Sequence, residues 1–236
     1  MNRILNVTRL QLNKLDVSFL VPASIVGIVL VVSAIISIAL QRAGLDPADP
    51  EFAAGARNNL GIIWSLPGFL VYYGVQAVAT TFPFAMALGS TRRNYVLGTT
   101  VANIITSLYV TAILVVLLLI ELATGHWFAN IYVLDNYALG SGNVAVLAPA
   151  VFLGTLFCTT VGGLFAAVWV RYGSRGPTIM GLGIGLVLAI LILVFVPYVA
   201  EIFAAITGAT LVWTALVLIA AALIGTWLSM RRTAVR

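Results

Sequence analysis

The sequence predicts an all-α integral membrane protein: six transmembrane helices, both termini on the cytoplasmic side, and a short interfacial helix at the amino end. Three observations predict it. Of the 236 residues, 62% are hydrophobic and 8% charged, and the mean hydropathy is +1.12, a balance foreign to soluble domains of this length. Charges and Gly/Pro clusters divide the chain into six apolar runs, each near the roughly 20 residues a helix needs to cross about 30 Å of hydrocarbon. The alternating segments of a membrane β-barrel are absent, which leaves helices as the backbone geometry that satisfies itself in lipid.

The division into elements is a segment 1–17 and a six-span domain 18–236. In the first segment Asn2, Asn6, Arg9, Asn13 and Asp16 recur at helical spacing and form a polar stripe. Ile4, Leu5, Val7, Leu10, Leu12 and Leu15 cover most of the remaining surface, the pattern of an amphipathic helix lying in the cytoplasmic interface. The spans follow at 18–40, 61–88, 95–120, 148–170, 177–200 and 211–229. Pro22 falls in the first turns of the first span, where its missing N–H is tolerated. That run is too long for the core of a cleavable signal, so it is expected to stay as a span. Cys158 is the single cysteine and sits inside the fourth span, which points to packing rather than reactivity.

Sidedness follows from the basic residues. Arg3, Arg9, Lys14, Arg92, Arg93, Arg171, Arg175, Arg231, Arg232 and Arg236 fall on one side of the six spans. The other side receives Arg42 and Arg57 together with Asp46, Asp49, Glu51, Glu121, Asp135 and Glu201. The first side is therefore expected to be cytoplasmic. The net charge of +5 is read as this bias plus attraction to anionic membrane lipid, not as a sign of nucleic-acid binding.

The chemistry is bounded by what is missing. A phosphate-binding loop needs Gly-Lys, and the only lysine, Lys14, follows Asn13. One histidine and one cysteine cannot build a structural zinc site. His126, in "ELATGHWFAN", together with Asp135 and Ser141 has the residue types of a hydrolytic triad, but an interfacial histidine beside Trp127 is the ordinary reading. The spans carry no ionisable side chain of the kind proton-driven transporters and voltage sensors place there. Gln76 and Asn103 are the polar candidates for a substrate path. Gly181, Gly183 and Gly185 in "GLGIG" are read as small residues that let helices approach closely.

One stretch interrupts the apolar runs with two adjacent arginines: "FPFAMALGSTRRNYVLGTT", followed 23 residues after Gly98 by Glu121 in "LLLIELATGHW". The arrangement resembles the bacterial ABC type-2 exporter permeases. Their second span ends in a Phe-Pro-rich turn and a G-x-[ST]-R-[RK] corner, and their third span closes with Glu. The order of all six spans and the amphipathic amino terminus fit the resemblance, whose specific part is residues 82–121.

The resemblance implies a permease subunit without its own ATPase site, in the bacterial cytoplasmic membrane. It would act with a second permease copy or paralogue and with two cytosolic ABC ATPase subunits that hold ATP and magnesium. Gly89, Ser90, Thr91, Arg92, Arg93 and Asn94 would form the coupling helix seated in the ATPase. Elementary chemistry agrees: Ser90 or Thr91 can cap the third helix, Gly89 permits the turn, and the arginines offer forked donors. For Glu121 an interfacial carboxylate is the default, with gating, capping of the outer helix end and orienting of the loop left open. The outer segment between the fifth and sixth spans, "EIFAAITGAT", is shorter than in many relatives. The apolar walls favour a hydrophobic or amphipathic cargo, a peptide, antibiotic or lipid, moved outward. The competing readings are a non-transport scaffold, immunity or sensor protein, and then a passive channel.

Overall fold

The computed structural model describes residues 3–231, without the side chain of Phe203. Asn2 of the polar stripe and Arg232 and Arg236 of the basic tail lie outside the described residues. All regular structure among the described residues is helical: α1 Arg3–Leu12, α2 Val21–Arg42, α3 Pro50–Ala56, α4 Gly61–Ala79, α5 Thr81–Ala87, α6 Arg92–Ala123, α7 Val144–Tyr172, α8 Arg175–Phe195, α9 Val199–Ala205 and α10 Gly208–Arg231. Among the described residues, six stretches are long and apolar enough to cross a membrane: Asp16–Arg42, Pro50–Ala87, Arg92–Ala123, Val144–Tyr172, Arg175–Ile202 and Gly208–Arg231.

Most spans run a few residues beyond their apolar cores, because helix ends continue until a cap or a break stops them. The first opens with a wide turn, Asp16–Leu20, in which Val21 N–H reaches back to Asp16 O. It directly precedes Pro22, whose ring has no N–H and displaces the carbonyl four residues earlier. The second span is not one rod from 61 to 88 as the sequence reading had it. It breaks at Thr80, whose hydroxyl bonds Gln76 O (2.8 Å), and a separate short helix, α5, carries Pro83. The segment 43–60 contains a further short helix, α3, started by the Asp49 carboxylate accepting from Glu51 N–H.

Packing centres on α7, which lies against α4, α6 and α10. At the α4–α7 crossing the backbones touch in two places. A Cβ on Gly74 would lie 2.1 Å from Thr159 O, and one on Gly162 would lie 2.1 Å from Val71 O. These reciprocal glycines are what allows the approach. Gly181, Gly183 and Gly185 do the opposite of what "GLGIG" led us to expect. They sit on α8, which buries none of its residues, and a Cβ on any of them meets nothing within 4 Å.

Two apolar clusters fill the bundle. One joins Val26, Leu66, Leu70, Leu114 and Leu118 to the loop residues Val133 and Leu134. The other joins Val7, Phe82, Tyr95, Ala166 and Met230 at the opposite end, so both ends of the described chain meet at one end of the bundle. Here α1 departs from a helix held in the interface by its apolar face alone. Its polar residues Asn6 and Arg9 are exposed as the stripe requires, yet Val7, Thr8 and Gln11 are buried against α6. Thr8 Oγ1 donates to Gly98 O (3.0 Å). Gln11 Nε2 donates to Ala77 O (2.9 Å), Tyr95 Oη (2.9 Å) and Thr99 Oγ1 (3.2 Å). Gly98 makes the seat, since a Cβ there would lie 2.7 Å from Val7 Cβ and 2.8 Å from Ile4 O. Gly98→Leu is therefore expected to lift α1 from α6. In a Cys158→Ser background, a cysteine replacing Val7 should react with a thiol reagent about tenfold faster in that variant; an unchanged rate would mean that α1 does not depend on this seat.

Candidate functional site

The corner between α5 and α6 is built from its ends inward. α5 is closed by a paired backbone motif in which Ser90 N–H donates to Ala85 O (3.1 Å) and Gly89 N–H to Met86 O (3.0 Å). That motif needs a left-handed residue, and Gly89 supplies it at φ +78°. Thr91, not Ser90, is the cap of α6: its backbone is extended (φ −87°, ψ 150°) and its Oγ1 accepts from Asn94 N–H. Residues 89–94 are thus a tight turn followed by the first turn of α6, and the separate short helix at this corner lies earlier, at Thr81–Ala87.

The two arginines differ in setting. Arg92 is half-buried and its Nη1 donates to Arg231 O (2.6 Å). Arg171 Nη1 donates in the same way to Leu228 O (3.1 Å). Both guanidinium groups sit at the carboxyl end of α10, where free carbonyls and the helix dipole favour cations. Arg93 is exposed. Beneath the corner, the Tyr95 hydroxyl donates to Ala77 O and stacks edge-on to Phe82 at 5.1 Å between ring centres. The corner, α1 and the end of α10 are consequently one packed unit.

At the opposite end, residues 124–143 fold back over the bundle as a cap. Glu121 is fully buried, and its carboxylate accepts from three consecutive backbone amides: Val133 (3.0 Å), Leu134 (2.9 Å) and Asp135 (3.1 Å). It orients the loop; the interfacial default does not describe its surroundings. Asp135, also buried, places Oδ2 3.0 Å from Arg57 Nη2 and 2.9 Å from His126 Nε2. The His126 ring stacks on Tyr132 at 4.0 Å, and Arg57 lies 5.5 Å over the same ring. His126, Trp127 and Phe128 all hold φ near +60°, a conformation side chains adopt only where surroundings impose it. Those surroundings include Gln41 Nε2 on Ala129 O (2.7 Å) and the Ser37 hydroxyl on Asn130 O (3.3 Å). The histidine and aspartate of the sequence analysis therefore do meet, but in a cluster centred on Asp135, whose carboxylate Arg57 shares. Ser141 enters through its amide, which donates to Asn136 O (2.8 Å).

The two polar candidates within the spans are not brought together. Gln76 bonds Tyr72 Oη on its own helix (3.0 Å). Asn103 is 4% exposed with Oδ1 unpartnered, beside a cavity of about 20 Å³ whose lining includes Thr99, Thr160 and Thr226 but not Gln76. A space that size holds one water molecule, not a cargo path. The sequence reading missed Gln11, Tyr95 and Arg57. Gln11 carried a signal, being polar yet off the stripe of α1; Arg57 and Asp135, 78 positions apart, carried none. Comparison of the chain with protein-family models, with curated proteins and with solved structures finds no match.

Proposed function

We propose that this chain is the membrane-spanning subunit of an ATP-driven exporter of the ABC type-2 kind. It pairs with a second permease copy or paralogue and with cytosolic ATPase subunits, and it moves a hydrophobic or amphipathic substrate outward across the bacterial cytoplasmic membrane. ATP and its magnesium belong to the partner chain. The observation that carries the reading is the corner at residues 89–94. It is closed on both sides by backbone and side-chain caps, it is packed to α1 and to the end of α10, and it presents Arg93 outward. A part meant to be pushed by a partner has to be stiff and to carry a contact, and this corner supports both requirements. Closure of the ATPase subunits would press here and rock the spans as rigid rods.

The test is affinity purification of the chain in mild detergent. A copurifying ABC ATPase is expected, and Arg93→Lys should recover roughly tenfold less of it, because lysine keeps the charge but loses the planar fork. Cysteines replacing Ser141 or Ser174, in a Cys158→Ser background, check that the variant is inserted normally. In intact cells the first should label with an impermeant reagent and the second should not. Full recovery of the ATPase by Arg93→Lys would reduce the corner to a topological signal, and no copurifying ATPase would favour a non-transport scaffold.

A further inference from the structure

We infer that the groove between α2 and α3 is a binding site for a cationic amphiphile, a single hydrocarbon chain with an amine headgroup. The groove encloses about 540 Å³, within the range of small-molecule sites, roughly 300–1,000 Å³. It lies at the end of the bundle opposite the described chain ends. Its apolar side is formed by Ile36 and Leu40 of α2, by Leu45, and by Phe52 of α3. Ile36, Leu40 and Leu45 are 54%, 42% and 49% exposed, so part of this wall is uncovered. Gly55 lines the groove as well, and a Cβ there would meet nothing within 4 Å.

The charge of the groove selects the headgroup. Asp46, Asp49 and Glu51 all line it. Asp46 and Asp49 each use one oxygen locally, accepting from Ala48 N–H and Glu51 N–H (both 2.9 Å). None of the three forms an ion pair among the described residues, where the ion pairs converge on Asp135. Arg57, the cation next to α3, is one of those partners of Asp135. The groove therefore combines a hydrocarbon wall with three carboxylates and no internal counter-ion. An amine head with an alkyl tail answers both features; an anionic head meets repulsion, and a neutral head gains from the wall alone.

The probe is dodecylamine carrying a photoreactive diazirine at the end of its chain, applied to the purified protein in lipid nanodiscs. Saturable labelling is expected within residues 33–56 and should be displaced by plain dodecylamine but not by dodecyl sulfate. Glu51→Gln should weaken the half-saturation about fivefold, the scale of one exposed charge pair. Glu51 makes no contact whose loss would unfold the chain. Gly55→Leu, whose Cβ would meet nothing within 4 Å, puts an isobutyl group into the groove and should abolish labelling with the melting temperature unchanged. Unsaturable labelling, equal labelling by a sulfate-headed analogue, or labelling that survives Gly55→Leu would each overturn the site. The measurement needs no ATPase, so its failure is distinct from failure of the permease reading.

Discussion

Replacing Glu121 with leucine should cost the fold roughly 4 kcal/mol or more, since it removes one carboxylate and strands three buried backbone donors, each worth about 1–3 kcal/mol when unsatisfied. Glu121→Gln is the sharper variant. Oε1 accepts from both Val133 and Asp135 while Oε2 accepts from Leu134, so whichever way the amide turns, its NH₂ opposes at least one N–H. About 2 kcal/mol should be lost even though size and shape are kept. The readout is amide hydrogen exchange in detergent. Protection at residues 133–135 should fall first, and the His126–Asp135–Arg57 cluster above it should loosen with it. If Glu121 served instead as a gate or as a solvated interfacial carboxylate, glutamine would leave exchange at 133–135 untouched.

Gly74→Val and Gly162→Val are expected to separate α4 from α7 and to lower stability by about 3 kcal/mol or more. Each new Cβ would arrive 2.1 Å from a backbone carbonyl oxygen, Thr159 O or Val71 O. Unlike a side chain, that atom cannot rotate aside. The helices must move apart, and the close contacts along their whole crossing are lost together. The comparison variant is Gly181→Val on α8, where nothing lies within 4 Å; its effect should stay within about 0.5 kcal/mol. Thermal unfolding in detergent ranks the three. Equal loss in all of them would mean that the crossing is not what these glycines serve, since helix propensity by itself favours valine over glycine.

The contrast between these glycines shows what was legible in the chain. "GLGIG" looked like a packing motif because glycine is small at close spacing, but smallness has an effect only where another backbone arrives, and none arrives at these three glycines of α8. Gly74 and Gly162 sit in ordinary apolar surroundings in the sequence. Their role exists only once α4 and α7 cross. The corner at residues 89–94 was more readable, since a left-handed turn and a helix cap depend on neighbours a few positions away. Even there, the choice of Arg92 rather than Arg93 as the residue tied to α10 required the neighbouring helix.

By itself the sequence determined the solvent and the secondary structure: 62% hydrophobic residues in runs of spanning length have no stable home but lipid, and in lipid a lone segment must satisfy its backbone as a helix. Those are local requirements, met within about 20 residues. Tertiary structure alone decided that α1 docks through Thr8 onto Gly98 and through Gln11 onto Ala77, Tyr95 and Thr99, that Glu121 is a loop anchor, and that Arg57 and His126 share the carboxylate of Asp135. Each of these depends on a polar or charged group finding a particular partner outside its own helix or turn. In an interior where an unpaired group costs several kcal/mol, the partner is chosen by how the helices cross, which no local pattern records.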